Sequence, residues 1–168
     1  KSLWYHAKYA VSFQAIPILS HNLSQIIAAI FGKSKKCLIL DLDNTCWGGV
    51  IGDDGLDGIQ IGRENARSET YADFQQYAKD LGARGVALAV CSKNEAKNAE
   101  EGFSHPDSVL NLDDFVSFKA NWEMKAGNIV EILRELNITD ESAVFIDDSP
   151  YERECVKLSL PGVSVPDV

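Results

Sequence analysis

The sequence predicts an α/β fold built around a parallel sheet, and three observations point that way. Continuous apolar runs at 37–40, 86–90 and 143–146 have the length and composition of strands buried on both faces. Segments of helical period alternate with them, as right-handed βαβ crossovers require. Each run also stops at polar or charged residues: Asp41 and Asp43, then Ser92, then Asp147 and Asp148. Ligands of parallel sheets bind beyond the carboxyl ends of the strands, so these groups converge if the strands are neighbours.

Residues 16–31 place Leu19, Leu23, Ile26, Ile27 and Ile30 at helical spacing, with Pro17 in the first turn. This reads as an amphipathic helix. His21, Asn22, Ser24 and Gln25 interrupt it, so it falls short of the ~20 apolar residues of a membrane span. Its basic residues Lys33, Lys35 and Lys36 follow the apolar run, the reverse of a signal peptide. Residues 1–34 are therefore expected to be an N-terminal helical extension, and 35–168 the α/β domain. Because the chain begins with Lys1, a piece of a longer multidomain protein is expected.

After a linker at 32–36 and the strand at 37–40 comes a stretch rich in Gly and Asp, 47–61. It suits a short hairpin-like flap, with Trp47, Gly48 and Gly49 at its start, better than a helix. A helix follows at 69–81, with Tyr71, Phe74, Ala78 and Leu81 on one face and Gly82 and Gly85 beyond it. The strand at 86–90 leads into a polar helix at 95–102. A weaker strand is expected at 115–118. The helix at 125–136 turns Ile129, Ile132, Leu133 and Leu136 inward. After the strand at 143–146, Pro150 opens a helix to about residue 158, and 163–165 is a last short strand.

With 168 residues, 45% of them hydrophobic, the chain can bury a real core. Its net charge of −9, with no basic run, disfavours nucleic acid, and no apolar stretch suits a membrane. The cysteines Cys37, Cys46, Cys91 and Cys155 lack zinc-like spacing, and suit reduced thiols in a cytoplasmic protein.

Two carboxylates closing a buried strand repel each other, and burying them unpaired is costly. Water, or a cation and a reaction, must account for them. Asp41 can attack phosphorus and form an aspartyl-phosphate. Mg²⁺, which takes oxygen ligands, would sit among Asp41, Asp147 and Asp148. Asp43 can protonate the leaving oxygen and then activate water. Ser92, at a strand-to-helix turn, can bind phosphate oxygens with the amides that follow at Lys93 and Asn94. Lys125, heading a helix, can neutralise charge built up in transfer. Taken singly, each has a plain alternative: an Asx turn, a helix cap, a solvated lysine. An EF-hand is excluded, because Cys46 and Gly52 stand where Gly and Glu are needed. A receiver domain carries its acid pair and its phosphorylated Asp in the opposite order.

The order of acids, Ser, Lys, acids resembles the haloacid-dehalogenase (HAD) superfamily. Asp41-Leu42-Asp43-Asn44-Thr45 reads as D-x-D-x-T, with Ser92, Lys125 and Asp147-Asp148 as the later motifs. The longer strings DLDNTCWGGVIGDDGLDGI, CSKNEAKNAEEGFSHPD, FKANWEMKAGNI and VFIDDSPYERECV are similar to the FkbH-like branch and cover essentially the whole chain. The resemblance implies a three-layer Rossmann-like parallel sheet without a large cap domain. It implies Mg²⁺ held by the carboxylates and by the Asp43 backbone carbonyl. It also implies a small phosphorylated metabolite, with the glyceryl unit of 1,3-bisphosphoglycerate loaded onto an acyl carrier protein. Two departures stand out. Cys46 occupies a position where Leu is common, and Leu42 one where some glyceryl-transferring members have Cys. An acyl thiol on this chain would fall to Cys91 or Cys46. Simple phosphatase activity, or a non-catalytic docking module of the same fold, are the alternatives. The completeness of the acid, Ser and Lys set favours an enzyme.

Overall fold

The computed structural model describes residues 2–8 and 11–168. Two compact units emerge, Lys1–Ser34 and Lys35–Val168. The first contains α1 (Ser2–Ala7), which the sequence pattern did not reveal, and α2 (Ile16–Ile30) with Pro17 in its first turn. Gly32 ends α2 at φ +68, the Gly32 N–H bonding the Ala29 carbonyl and the Lys33 N–H the Ala28 carbonyl. That is the Schellman arrangement, which favours glycine at the left-handed position. No helix among the described residues is long and apolar enough to cross a membrane.

The second unit is an α/β domain with four parallel strands in the order β3-β2-β1-β4: β1 (Cys37–Leu40), β2 (Ala87–Ser92), β3 (Phe115–Ala120) and β4 (Ala143–Ile146). Between them run α3 (Ile51–Asp54), α4 (Ala66–Ala83), α5 (Ala96–Gly102) and α6 (Lys125–Glu135), and α7 (Pro150–Ser159) closes the order. β1 is buried along its whole length because both faces of the sheet are covered. Leu38, Leu40, Leu88 and Val90 join Leu42, Trp47, Ala78 and Phe103 in one core. Cys37, Ile39, Ala89, Cys91 and Phe145 pack on the other side with Ile129, Ile132 and Val156 of α6 and α7. These are the three layers expected of a Rossmann-like sheet.

β1 pairs with both neighbours in one register, Leu40 opposite Val90 and opposite Ile146. β1 and β4 therefore finish level and β2 runs two residues further, which brings Asp41, Asp147 and Ser92 to one end of the sheet.

Several boundaries differ from the sequence expectation. α4 begins earlier than residue 69 because the Asn65 side chain caps it, accepting from Arg67 N and Ser68 N at 3.0 Å each. β2 runs on to Ser92 and β3 to Ala120. The expected strand at 163–165 is a single bridge between Ser164 and Val144. Pro161 and Pro166 flank it, and neither can donate to a ladder.

The stretch after β1 is corrected in part. Gly48 and Gln60 do form a two-bond antiparallel bridge, but the one-turn helix α3 lies between them. Trp47, expected as part of a flap, is fully buried in the core, stacked edge-on to Phe103 with ring centroids 5.3 Å apart. An indole of that size gains more from burial than any flap position offers.

Candidate active site

The site forms at the carboxyl ends of β1, β2 and β4. Asp41 follows β1 directly, its N–H bonded to the Ile146 carbonyl of β4 at 3.0 Å. Asp147 follows β4, and Lys125 opens α6. The Lys125 Nζ lies 2.8 Å from Asp41 Oδ1 and 2.6 Å from Asp147 Oδ2. All three are buried, at 4, 5 and 0% exposure for Lys125, Asp41 and Asp147. Asp148 is exposed beside them. Carboxylate oxygens of Asp41, Asp147 and Asp148 come within 4.8 Å of one another.

Two buried carboxylates share one ammonium, and the electrostatics follow. Burial pushes the Asp41 carboxyl up to about 6, with the Asp147 charge adding to the rise and Lys125 and the Ser92 hydroxyl opposing it. Burial works against the Lys125 ammonium, but the charges of Asp41 and Asp147 and its hydrogen bonds to them hold it above the ordinary lysine range. Asp148 is also raised, by partial burial and by the neighbouring Asp147 charge. An all-oxygen donor set carrying more negative charge than its lysine offsets fits a hard divalent cation such as Mg²⁺.

The loops that hold these acids are tightly braced. Thr45 Oγ1 accepts from Asp148 N at 3.1 Å, tying the loop after β1 to the loop after β4. Asp147 Oδ1 accepts from Ser149 N at 2.8 Å. Arg153 reaches back from α7 to donate to the Asp147 and Asp148 carbonyls, 2.8 Å each. The buried Gln75 of α4 donates to the Cys46 carbonyl and accepts from Val109 N and Leu110 N, all at 2.9 Å. Arg153 sits in the VFIDDSPYERECV string, but nothing in the pattern marked its role. Gln75 left no signal, being one polar residue on a helix.

Asp43 stands apart from the Lys125 cluster. Its Oδ1 accepts from Trp47 Nε1 at 2.9 Å and from Ile51 N at 3.1 Å, and its Oδ2 accepts from Asn94 Nδ2 at 3.0 Å. Asn44, at φ +56, and Gly49 complete the turn, Gly49 N donating to Asn44 Oδ1 at 3.0 Å. Ser92 is buried at the end of β2, beside Asp41.

The backbone amides of Lys93 and Asn94 are the groups expected at a phosphate, and their side chains are engaged elsewhere. Lys93 Nζ pairs with Glu152 Oε1 at 2.7 Å, and the Asn94 amide is engaged by Asp43. The two candidate acyl thiols, Cys91 and Cys46, are both buried. Cys91 alternates with Ser92 along β2 and turns into the apolar core, its Sγ 3.6 Å from the Lys125 carbonyl. Burial raises it to about 12, which disfavours a reactive thiolate there. Cys46 is fully buried, donates to the Asp41 carbonyl at 3.2 Å and is raised by burial and by the Asp41 and Asp43 charges.

No family model matches the sequence, and no curated protein matches it. Solved structures do. The N-terminal part of the protein BF1531 from Bacteroides fragilis, which contains a phosphatase domain and was crystallised with Mg, is 50% identical with a TM-score of 0.86. The match covers 99% of this chain and 45% of that one, so this chain spans less than half its length. A HAD-superfamily hydrolase of subfamily IA from Geobacter sulfurreducens has a TM-score of 0.52 at 14% identity, covering 79% of this chain and 88% of its own. A protein from Porphyromonas gingivalis described as a predicted HAD-like family hydrolase has a TM-score of 0.51 at 14% identity, covering 79% of this chain and 90% of its own. The fold is of the HAD type, with no large cap among the described residues.

Proposed function

We propose that this chain is a Mg²⁺-dependent HAD-type phosphohydrolase that works through an aspartyl-phosphate on Asp41. The observation that carries the reading is the buried Asp41–Lys125–Asp147 cluster with Asp148 at its open side. The carboxylates of Asp41, Asp147 and Asp148 and the Asp43 backbone carbonyl would hold the ion. When bound, Mg²⁺ offsets the repulsion between these acids and a phosphate dianion.

The chain's own residues then divide the work. An Asp41 carboxylate oxygen attacks phosphorus. The bond from phosphorus to the leaving oxygen breaks, its electron pair stays on that oxygen, and the Asp43 carboxyl supplies the proton. Water attacks the same phosphorus and gives its proton to Asp43, while the bond to Asp41 breaks and inorganic phosphate leaves. The Ser92 hydroxyl and the backbone amides of Lys93 and Asn94 receive phosphate oxygens. Lys125 steadies the charge that collects on them.

The substrate in this reading is a small phosphorylated metabolite. The motif strings of the FkbH-like branch support a finer version: a glyceryl acyl phosphate, its acyl group passed to an acyl carrier protein. A site without a large cap suits the phosphopantetheine arm of such a protein. Transfer is then direct, because Cys91 and Cys46 are buried.

Hydrolysis of p-nitrophenyl phosphate with and without Mg²⁺ tests the core of the proposal. Metal-dependent turnover is expected in the wild type and none in Asp41→Asn. Asp43→Asn should be slower by about 10²–10⁴. Near-normal turnover in Asp41→Asn removes Asp41 as nucleophile. Inactivity of the wild type on this ester and on acyl phosphates leaves a docking module. Intact-mass spectrometry of an acyl carrier protein after incubation with 1,3-bisphosphoglycerate tests the finer version, which an unmodified carrier would overturn.

A further inference from the structure

Asp43 is held by more than the acid–base role asks. Trp47 Nε1 and Ile51 N both bond Oδ1, and Asn94 Nδ2 bonds Oδ2. A carboxylate oxygen offers about two lone-pair sites. Oδ1 is thereby filled, and Oδ2 keeps one site open. Neither side-chain donor is free to move elsewhere. Asn94 is 3% exposed and Trp47 0%. Trp47 is wedged against Phe103 and against Gly102, where an added Cβ would lie 2.5 Å from the ring. Asp43 Oδ2 accepts from the Asn94 amide nitrogen, and the Asn94 carbonyl is left toward Gly52 of α3.

Resting on the phosphohydrolase reading, we propose that Asn94 and Trp47 are positioning residues that fix the rotamer of Asp43 and make Oδ2 the oxygen that exchanges the proton. The Asn94 side chain thus serves the leaving group rather than the phosphate. It reaches Asp43 from two residues beyond Ser92, so one strand end aligns both the phosphate and the proton donor. The Ile51 N–H, the first of α3, binds the hairpin to the same carboxylate. The proton passes from Oδ2 to the leaving oxygen as its bond to phosphorus breaks. It returns to Oδ2 from the water that attacks the aspartyl-phosphate.

Leaving-group dependence separates this role from a structural one. Phenoxide is a poor leaving group and needs its proton, whereas 2,4-dinitrophenoxide departs without one. Asn94→Ala should therefore lose at least about tenfold more kcat/KM, which reports phosphoryl transfer to Asp41 and not the later hydrolysis, on phenyl phosphate than on 2,4-dinitrophenyl phosphate, a part of the ~10²–10⁴ that acid–base catalysis supplies. Its inhibition by inorganic phosphate should stay near wild type. Equal losses of kcat/KM on both esters, or a matching rise in the phosphate inhibition constant, would make Asn94 a phosphate or packing residue and overturn the proposal. A second measurement holds if the wild type turns over neither ester, a result that sinks the phosphohydrolase reading and the catalytic half of this one. Urea unfolding of Asn94→Ala, Asp43→Ala and the double variant should be non-additive, the double unfolding close to the worse single. Additive losses would refute the clamp itself.

Discussion

Replacing Lys125 with Met takes the cation out of a buried cluster and leaves its two carboxylates facing each other. Nζ lies 2.8 Å from Asp41 and 2.6 Å from Asp147, and none of the three is more than 5% exposed. Met is close to Lys in length, so little cavity opens and the change is mainly one of charge. Removing one partner of a buried ion pair costs about 3–5 kcal/mol, because the charge left behind has neither water nor counterion. With an unfolding slope of about 2 kcal/mol/M, the urea midpoint in EDTA should fall by roughly 2 M. A proton can replace the lost cation. The Asp41 carboxyl already sits up at about 6 and would rise further without Lys125. The loss should therefore shrink between about pH 7.5 and about pH 5, and Mg²⁺ should recover part of it at the higher pH. A fall below about 1 kcal/mol at pH 7.5, or the same fall at both pH values, would refute the view that charge holds this cluster together.

Three further expectations follow from the same geometry. Asp41 takes up a proton in the folded state between its ordinary 3.8 and about 6, so metal-free stability is lost there as pH rises; Asp41→Asn should gain on the wild type across that window by on the order of 3 kcal/mol in paired urea titrations, and a gap that stays flat with pH contradicts the shift. Gly102→Ala places a Cβ within 2.5–2.9 Å of the rigid Trp47 ring, and overpacking should cost about 1–3 kcal/mol in thermal unfolding; an unchanged midpoint means the ring has room to move. Burial lifts the Cys37 thiol to about 11 and Cys91 to about 12, and Cys46 is fully buried, so peptide mapping after iodoacetamide at about pH 8 should find partly exposed Cys155 modified first, and labelling of Cys91 at an equal rate would show that it is not packed as described.

The sequence disclosed the sheet because its strands are apolar on both faces, a pattern no solvent-facing strand shares. The cluster was legible for a related reason. Asp41, Ser92 and Asp147 each interrupt or follow an apolar run, and such breaks are visible without coordinates. Lys125 was legible only from its place in the order of acids, Ser, Lys and acids, since a lysine at a helix start carries no mark of burial. The bracing was hidden. Arg153 and Gln75 act through backbone carbonyls and amides of distant loops, and such bonds leave no periodicity to read. Trp47 was misjudged because its neighbours are glycines and acids, whereas its packing partners Gly102 and Phe103 lie more than fifty residues on.

The fixed strand register makes the site a matter of counting. Alternation along β2 sends Cys91 to the apolar layer and leaves Ser92 beside Asp41. Deleting one residue upstream within Ala87–Ser92 would exchange odd for even. The hydroxyl would sink among Ile39 and Phe145, and Lys93 would arrive where Ser92 stands. Each of the four loops past the carboxyl edge can lengthen without disturbing that parity. Insertion in those loops can rebuild what surrounds the site, while strand length is locked to the single residue.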